Sequence, residues 1–350
     1  DTDMAGYVAD ALPDKLTRKW QYLAEGPLRQ PAVADEAGIY FATYSGMVAS
    51  VDFAGQPRWS KKLARVQKPG APESPERLNA PVAVFHDRLL AGAQSGLLYA
   101  LDAATGDTKW TFDVQGEILG AQTFYAPGDA SGPARVFVIE RSEGVLHCLN
   151  FDSGTELWRT DDIARCDGSP SVSGDIAVYG SCASALHAYD AKAGRILKNI
   201  PLCDDCQVAG GIALAGEDAY SGNRSGHVVR VNLRTGQILW TNSDATGEVF
   251  TTPALSKELV VYGSEDDHLY ALDRATGKQT WKLDTHTPAS SAVVAGDKLL
   301  YSAAGALHLL DLATGQERWT TEVSDSVTAP SLIHGMVVVG SEDGTLSAYQ

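Results

Sequence analysis

Hydrophobic and polar positions alternate along this chain in short bursts, and the bursts come in groups of four. The stretch 248–283 shows one group: EVFTTPALS, KELVVYGSE and DHLYALD, then the turn RATG, then KQTWKL. Runs of Val, Leu, Ile and Tyr bounded by Gly, Asp, Ser and Asn predict four strands joined by hairpins. In the Asp-x-x-Thr-Gly turn, glycine takes a positive φ without penalty, while Asp and Thr bond the turn amides. No segment sustains a 3.6-residue apolar period, so helix is confined at most to the first dozen residues.

The groups are copies of one phrase. It reads ALDAATGDTKW at Ala100–Trp110, ALDRATGKQTW at Ala271–Trp281 and LLDLATGQERW at Leu309–Trp319. All seven tryptophans, Trp20, Trp59, Trp110, Trp158, Trp240, Trp281 and Trp319, stand at its final position, and Lys198 fills an eighth. A period of about 40 residues marks a propeller or solenoid. The last unit, Val327–Gln350, stops after its third strand, and Leu16–Leu23 is an orphan fourth strand. Pairing the two closes a ring and removes an open edge. The expected fold is all-β: an eight-bladed β-propeller of four-stranded blades over 16–350, its N-terminal strand completing the last blade. Each indole is expected to dock between neighbouring blades, which makes the tryptophans structural. Residues 1–15 read as an acidic tail. Lys61–Arg77 reads as an enlarged loop, and Pro127–Pro133 as a lengthened hairpin.

Apolar residues make up 44% of the chain, ample for a core, and 28 basic against 44 acidic residues give a net charge of −16. That charge argues against nucleic-acid backbones and anionic membrane surfaces as partners. Cations, basic proteins and neutral polymers remain. No long uncharged apolar stretch exists, so insertion into a bilayer is not expected. The sequence opens at Asp1 without a signal-peptide pattern, as expected of a processed protein or of a piece of a longer one.

The docking phrases ALDAATGDTKW, NLRTGQILW and ALDRATGKQTW resemble those of the PQQ-like eight-bladed β-propellers, and the resemblance runs from about Leu16 to Gln350. That family includes quinoprotein alcohol dehydrogenases, BamB-like periplasmic scaffolds of outer-membrane protein assembly, and exported bacterial propellers without an assigned role. The passage Cys166–Asp190 looks most like the last group. Quinone-using members typically carry an adjacent Cys-Cys pair and a tryptophan beneath the cofactor. Here there is no Cys-Cys dipeptide, every tryptophan is committed to the repeat, and no carboxylate matches the family's base or calcium ligands. The resemblance therefore implies an exported, periplasmic, non-enzymatic scaffold with protein partners and no cofactor. The PQQ-dependent alcohol dehydrogenase and a thiolate metal-binding propeller are the alternatives.

Five cysteines occur. Cys148 occupies the third-strand slot filled elsewhere by Ala100, Ala188 and Ala271, as a small buried hydrophobe would. For a hairpin centred on Gly174, Cys166 and Cys182 face each other across the ladder, within adjustment of disulfide reach. Cys206 reads as the counterpart of Cys166 one blade along, so all four of Cys166, Cys182, Cys203 and Cys206 are expected to gather near the axis on one face. Two disulfides, 166–182 and 203–206, suit an oxidising compartment. Such a clip would also offset the docking contact missing at Lys198. A four-thiolate metal site and a redox-active Cys-x-x-Cys are the alternatives.

The histidines His147, His187, His227, His268 and His308 recur at a repeat position and read as structural. Acidic turns on the cysteine face carry Asp204, Asp205, Glu265, Asp266, Glu342 and Asp343. They predict a negative collar round the channel mouth, suited to a basic or polar protein segment.

Overall fold

The computed structural model describes residues 4–8, 11–66, 73–127 and 132–350. Strands, and no helices, form the described residues. Eight sheets stand round a central axis. Seven run first to fourth strand outward in chain order, for example Ala83–Phe85, Arg88–Gly92, Leu97–Asp102 and Thr108–Asp113 in blade two. Blade eight takes its first three strands, Ser331–Ile333, Met336–Gly340 and Thr345–Tyr349, from the C-terminus. Its outer strand is Arg18–Leu23, with Trp20 opposite Ala348. The ring is closed as the sequence predicts.

Every outer strand carries the same irregularity. The ladder between third and fourth strands shifts register beside the docking residue, as between Ala100 and Leu101 or between Ala271 and Leu272. A bulge re-aims the side chain next to it, and here it turns the indole toward the following blade. The docking surface is the turn glycine of that blade. A Cβ added to Gly55 would lie 2.6 Å from Trp20, and one added to Gly277 would lie 2.6 Å from Trp240. Only glycine leaves room for the ring, and the positive φ of the same turn requires glycine independently. The indole N–H then donates to the backbone: Trp59 to Ala103, Trp110 to Phe151, and Trp281 to Leu312, each at 3.0 Å. Lys198 lies over Gly236 with its Cδ 3.5 Å from the position of an added Cβ.

Eight core clusters result, each shared by two adjacent blades; Tyr40 and Leu89, for example, meet between blades one and two. Cys148 is fully buried opposite Trp158, in the slot its neighbours give to alanine.

The N-terminal residues depart from the tail expectation. Tyr7–Val8 pairs in parallel with the innermost strand of blade seven at Val294 and Ala295, and Ala5 accepts a bond from the Leu255 amide of blade six. Leu12 and Leu16 are buried in the core between blades seven and eight. A strand added to an inner edge needs backbone groups rather than an alternating pattern, so composition does not announce it. The enlarged loop at 61–77 contains a short hairpin, Ala64–Val66 with Glu73–Pro75, and its residues 67–72 lie outside the described residues. Most of the lengthened hairpin, 128–131, does too.

Candidate functional site

Turns between second and third strands, together with the connections entering each first strand, form one face of the ring. Matching residues of successive blades meet there. The segments GEILG (116–120), ARCDG (164–168) and CQVAG (206–210) are equivalent connections. They place Ile118, Cys166 and Val208 in one buried slot. Val208 packs where a Cβ on Gly180 would sit, and Ile118 does the same at Gly92.

This register corrects the cysteine arrangement. The counterpart of Cys166 is Val208, and Cys206 lies two residues earlier. Within blade four the ladder pairs Ser171 with Val178 and Ser173 with Ile176, so the hairpin is centred one half-step past Gly174 and ends before Cys166 is reached. A one-residue slip in pairing sends side chains to opposite faces. Cys166 and Cys182 are accordingly free thiols rather than a disulfide. The Cys166 thiol donates to the Gly180 carbonyl at 3.0 Å, and burial pushes its pKa up to about 12. Cys203 and Cys206 do form a disulfide, with Cα atoms 5.2 Å apart. The four sulfurs are not gathered. Instead His227 completes the group, its Nδ1 3.5 Å from Cys206 Sγ.

The collar is likewise not uniformly acidic. Glu342 is paired with Arg29 at 2.7 Å, and Arg29 lies 4.0 Å above the Tyr44 ring. Asp343 accepts bonds from Ser341, Thr345 and Ser324, which hold its pKa down to about 2. Burial alone would raise the Asp266 carboxyl. Bonds from the Thr246 amide and the Tyr270 hydroxyl outweigh it and keep the group below its ordinary value. Glu265 is raised by burial and by its neighbours Glu248 and Asp267. Asp204 and Asp205 are exposed.

Three arginines that the acidic pattern conceals surround one carboxylate. Asp167, with a side chain only 10% exposed, takes Arg141 Nε at 2.7 Å, Arg165 Nε at 3.0 Å and Arg224 Nη2 at 3.5 Å. Arg224 also reaches Glu248 at 3.3 Å and lies 4.9 Å from the Phe250 ring centre. Arg141 and Arg224 occupy the same slot after the second strand as Glu265 and Glu342, a register visible in IERSE and GNRSG beside GSEDD and GSEDG. Over blades three to five the turns therefore carry arginines paired with Asp167, Glu117 and Glu248, where blade six carries Glu265 and Asp266.

A second feature lies on the outer circumference. The residue preceding each docking position is Lys19, Arg58, Lys109, Thr280 or Arg318 in five blades, and Leu157, Leu197 or Leu239 in blades three, four and five. These leucines are 42–43% exposed, and Ile196 beside them is 56% exposed. Charged side chains on an outermost strand blunt its unpaired backbone against further pairing. At this one position, beside the bulge, the three neighbouring blades lack that charge. The bulged ladder that aims the indoles inward gives the signal, since it fixes which residue stands one place earlier on the edge.

At the opposite end of the axis lies a cavity of about 700 Å³, lined by Pro31, Pro81, Gln122, Phe124, Pro253 and Pro330, with Met4 and Gly6 of the N-terminal segment at its border. No tryptophan lines it.

Comparisons with known proteins follow the same architecture. A solved BamB from Moraxella catarrhalis superposes with a TM-score of 0.78 at 20% identity, covering 96% of this chain and 98% of that one. The quinohemoprotein alcohol dehydrogenase of Comamonas testosteroni gives 0.81 at 14% identity, covering all of this chain and 79% of that one, a likeness of fold. In sequence, the outer membrane protein assembly factor BamB of Shewanella oneidensis is 27% identical over 297 residues, 77% of this chain and 71% of the relative. Residues 44–281, 201–323 and 281–350 match the family described as "Outer membrane protein assembly factor BamB". Those matches run through the repeated blades whose docking geometry is set out above, and the chain belongs to that family.

Proposed function

We propose that this protein is a non-enzymatic, exported scaffold that holds protein partners during assembly of a complex in the periplasm; its relatives are named outer membrane protein assembly factors. One observation carries the reading: immediately before the docking position, the outermost strands of three consecutive blades expose leucine where the other blades place Lys, Arg or Thr. An unguarded apolar edge suits an extended segment of a partner, whose backbone would pair with the strand while alternate side chains meet the leucines. The net charge of −16 favours a basic partner. The indoles that might stack on a quinone are docked on the turn glycines of their neighbours, so the dehydrogenase alternative finds no platform among them.

A photo-crosslinking residue placed at Leu197 and, separately, at Thr280 tests the proposal in cells exporting the full chain. Discrete adducts with a small set of envelope proteins are expected from position 197 and not from 280. With the crosslinking residue kept at position 197, the joint substitution Leu157→Glu and Leu239→Glu should abolish those adducts and leave the melting temperature within about 2 °C, since exposed positions contribute little to stability. Equal adducts from both positions, or adducts from 197 that survive the joint substitution, would refute it.

A further inference from the structure

We infer that the Cys203, Cys206 and His227 group is a redox-gated metal site, closed while the disulfide stands and able to hold one thiophilic d10 cation, for which Zn²⁺ is the probe, once it is reduced. The ligand atoms, two Sγ and one imidazole nitrogen, lie within 4.8 Å of one another. In a tetrahedral thiolate–imidazole site, neighbouring donors stand about 3.4–3.8 Å apart, given metal–sulfur and metal–nitrogen bonds of about 2.3 and 2.0–2.1 Å. The observed 3.5 Å between Cys206 Sγ and His227 Nδ1 already has that spacing. A Cys-x-x-Cys pair is also a common two-ligand arm of zinc sites.

The scaffold holds the two arms independently of the disulfide. The Arg224 amide donates to the Gln207 carbonyl, and the Val208 amide donates to Ser181, which fixes the strand side of the cysteine loop. The Ser225 hydroxyl donates to the Asp205 carbonyl inside the loop. Asn223 Oδ1 accepts from the amides of Ser225 and His227, which sets the turn bearing the imidazole. Reduction thus leaves both arms tied in place. Cys206 is buried and Cys203 exposed, so a cation entering from solvent meets one fixed and one reachable ligand.

Charge separates this assignment from a thiol-exchange role. Asp204 and Asp205, between the thiols, oppose a free thiolate. The same two charges favour a cation. The steps balance as follows. Two thiol equivalents, or one dithiol, reduce the Cys203–Cys206 bond to two thiols and leave as a disulfide. The cation then displaces two protons from those thiols, with neutral His227 as third ligand and water as the fourth.

Titration of the full chain with Zn²⁺ against a chromogenic chelator, before and after mild reduction, tests the site. Reduced protein should take up one equivalent that oxidised protein does not, and the metal should shield Cys203 and Cys206 from maleimide. His227→Ala should weaken that equivalent at least tenfold, and joint Cys203→Ser and Cys206→Ser should remove it. Joint Cys166→Ser and Cys182→Ser should leave it intact. Oxidised wild-type protein is a folded reference that no substitution compromises. An absent equivalent in reduced protein, equal uptake in both redox states, or uptake that survives loss of Cys203 and Cys206 overturns the inference.

Discussion

Replacing Trp110 and Trp158 by phenylalanine, in separate proteins, should give unequal losses although both indoles hold the same register in adjacent blades. Each lies on the turn glycine of the next blade, and an added Cβ on Gly154 or Gly194 would come 2.5 Å from the ring. The packing removed by the substitution is therefore matched. The hydrogen bond is not. Trp110 Nε1 donates to the Phe151 carbonyl at 3.0 Å. The corresponding carbonyl for Trp158 belongs to Ala191, and Arg135 Nη1 holds it at 2.8 Å, which leaves the Trp158 N–H buried without an acceptor. A hydrogen bond contributes about 0.5–1.5 kcal/mol net, and an acceptor left buried alone costs about 1–3 kcal/mol. Trp110→Phe should thus destabilise by about 1–2 kcal/mol more than Trp158→Phe. In a protein of this size that difference is about 1–3 °C in melting temperature. Parallel urea and thermal unfolding of the two variants measures it. Equal losses, or the larger loss at Trp158, would refute the claim that acceptor competition separates the two blades. Arg135→Leu supplies a cross-check, because it returns the Ala191 carbonyl to Trp158 and should make Trp158→Phe nearly as costly as Trp110→Phe.

Gly277→Ala should cost about 2–4 kcal/mol, since its φ is +73° and the new Cβ would meet Trp240 at 2.6 Å. Gly174→Ala, with nothing within 4 Å, should cost only the left-handed strain of about 1–2 kcal/mol; unfolding curves that rank them the other way would contradict the docking account. Deleting residues through Leu23 removes Trp20 and the outer strand of blade eight, so the ring opens and cooperative unfolding should disappear; a retained sharp transition would show that closure is dispensable. Burial lowers the His187 pKa to about 4 and also lowers that of His147. An unfolded histidine protonates near pH 6.5, before the folded one does, so stability should fall as pH drops from about 6.5 to 4 and stay level above it. His187 alone should account for about 3 kcal/mol of that fall. His187→Gln should flatten the slope measured by urea midpoints, and an unchanged slope would reject the assignment.

Which of these features the sequence displays depends on whether the repeat or a departure from it carries them. The docking register, the closure by Leu16–Leu23 and the slot of Cys148 all follow from one phrase recurring at one spacing, and the structure keeps them. First strands are a different case. At three residues in blade four, the first strand is too short to fix its own register, and the half-step between Gly174 and the true hairpin centre separates a Cys166–Cys182 bridge from two free thiols. Acidic turns show readily in composition. The arginines that interrupt them, Arg141 and Arg224, show only when the eight turns are superimposed residue by residue. Tyr7–Val8 leaves no periodic trace, because the inner edge it joins asks only for backbone donors and acceptors.

The departures fall in one arc of the ring. Blade four has Lys198 where the others have an indole, and blade three has the indole whose N–H is displaced by Arg135. Blades three to five expose leucines on their outer strands, surround Asp167 with arginines, and carry the cysteine–histidine group. A missing docked indole costs about 3–5 kcal/mol. The Cys203–Cys206 disulfide closes so short a loop that chain entropy returns only about 2 kcal/mol. It offsets part of the deficit, so stability alone does not account for the arc. A closed ring with seven indole contacts and eight shared cores tolerates one weaker junction, which under the proposed function frees these blades to present an apolar edge and a charged mouth to a partner. Restoring the docked ring separates the two demands. Lys198→Trp should raise the melting temperature through contact with Gly236, while crosslinking at Leu197 stays as it was, because Leu197 is exposed at the bulge and position 198 lies over Gly236. A rise in stability accompanied by loss of the crosslinks would show instead that the weak junction is itself what the partner recognises.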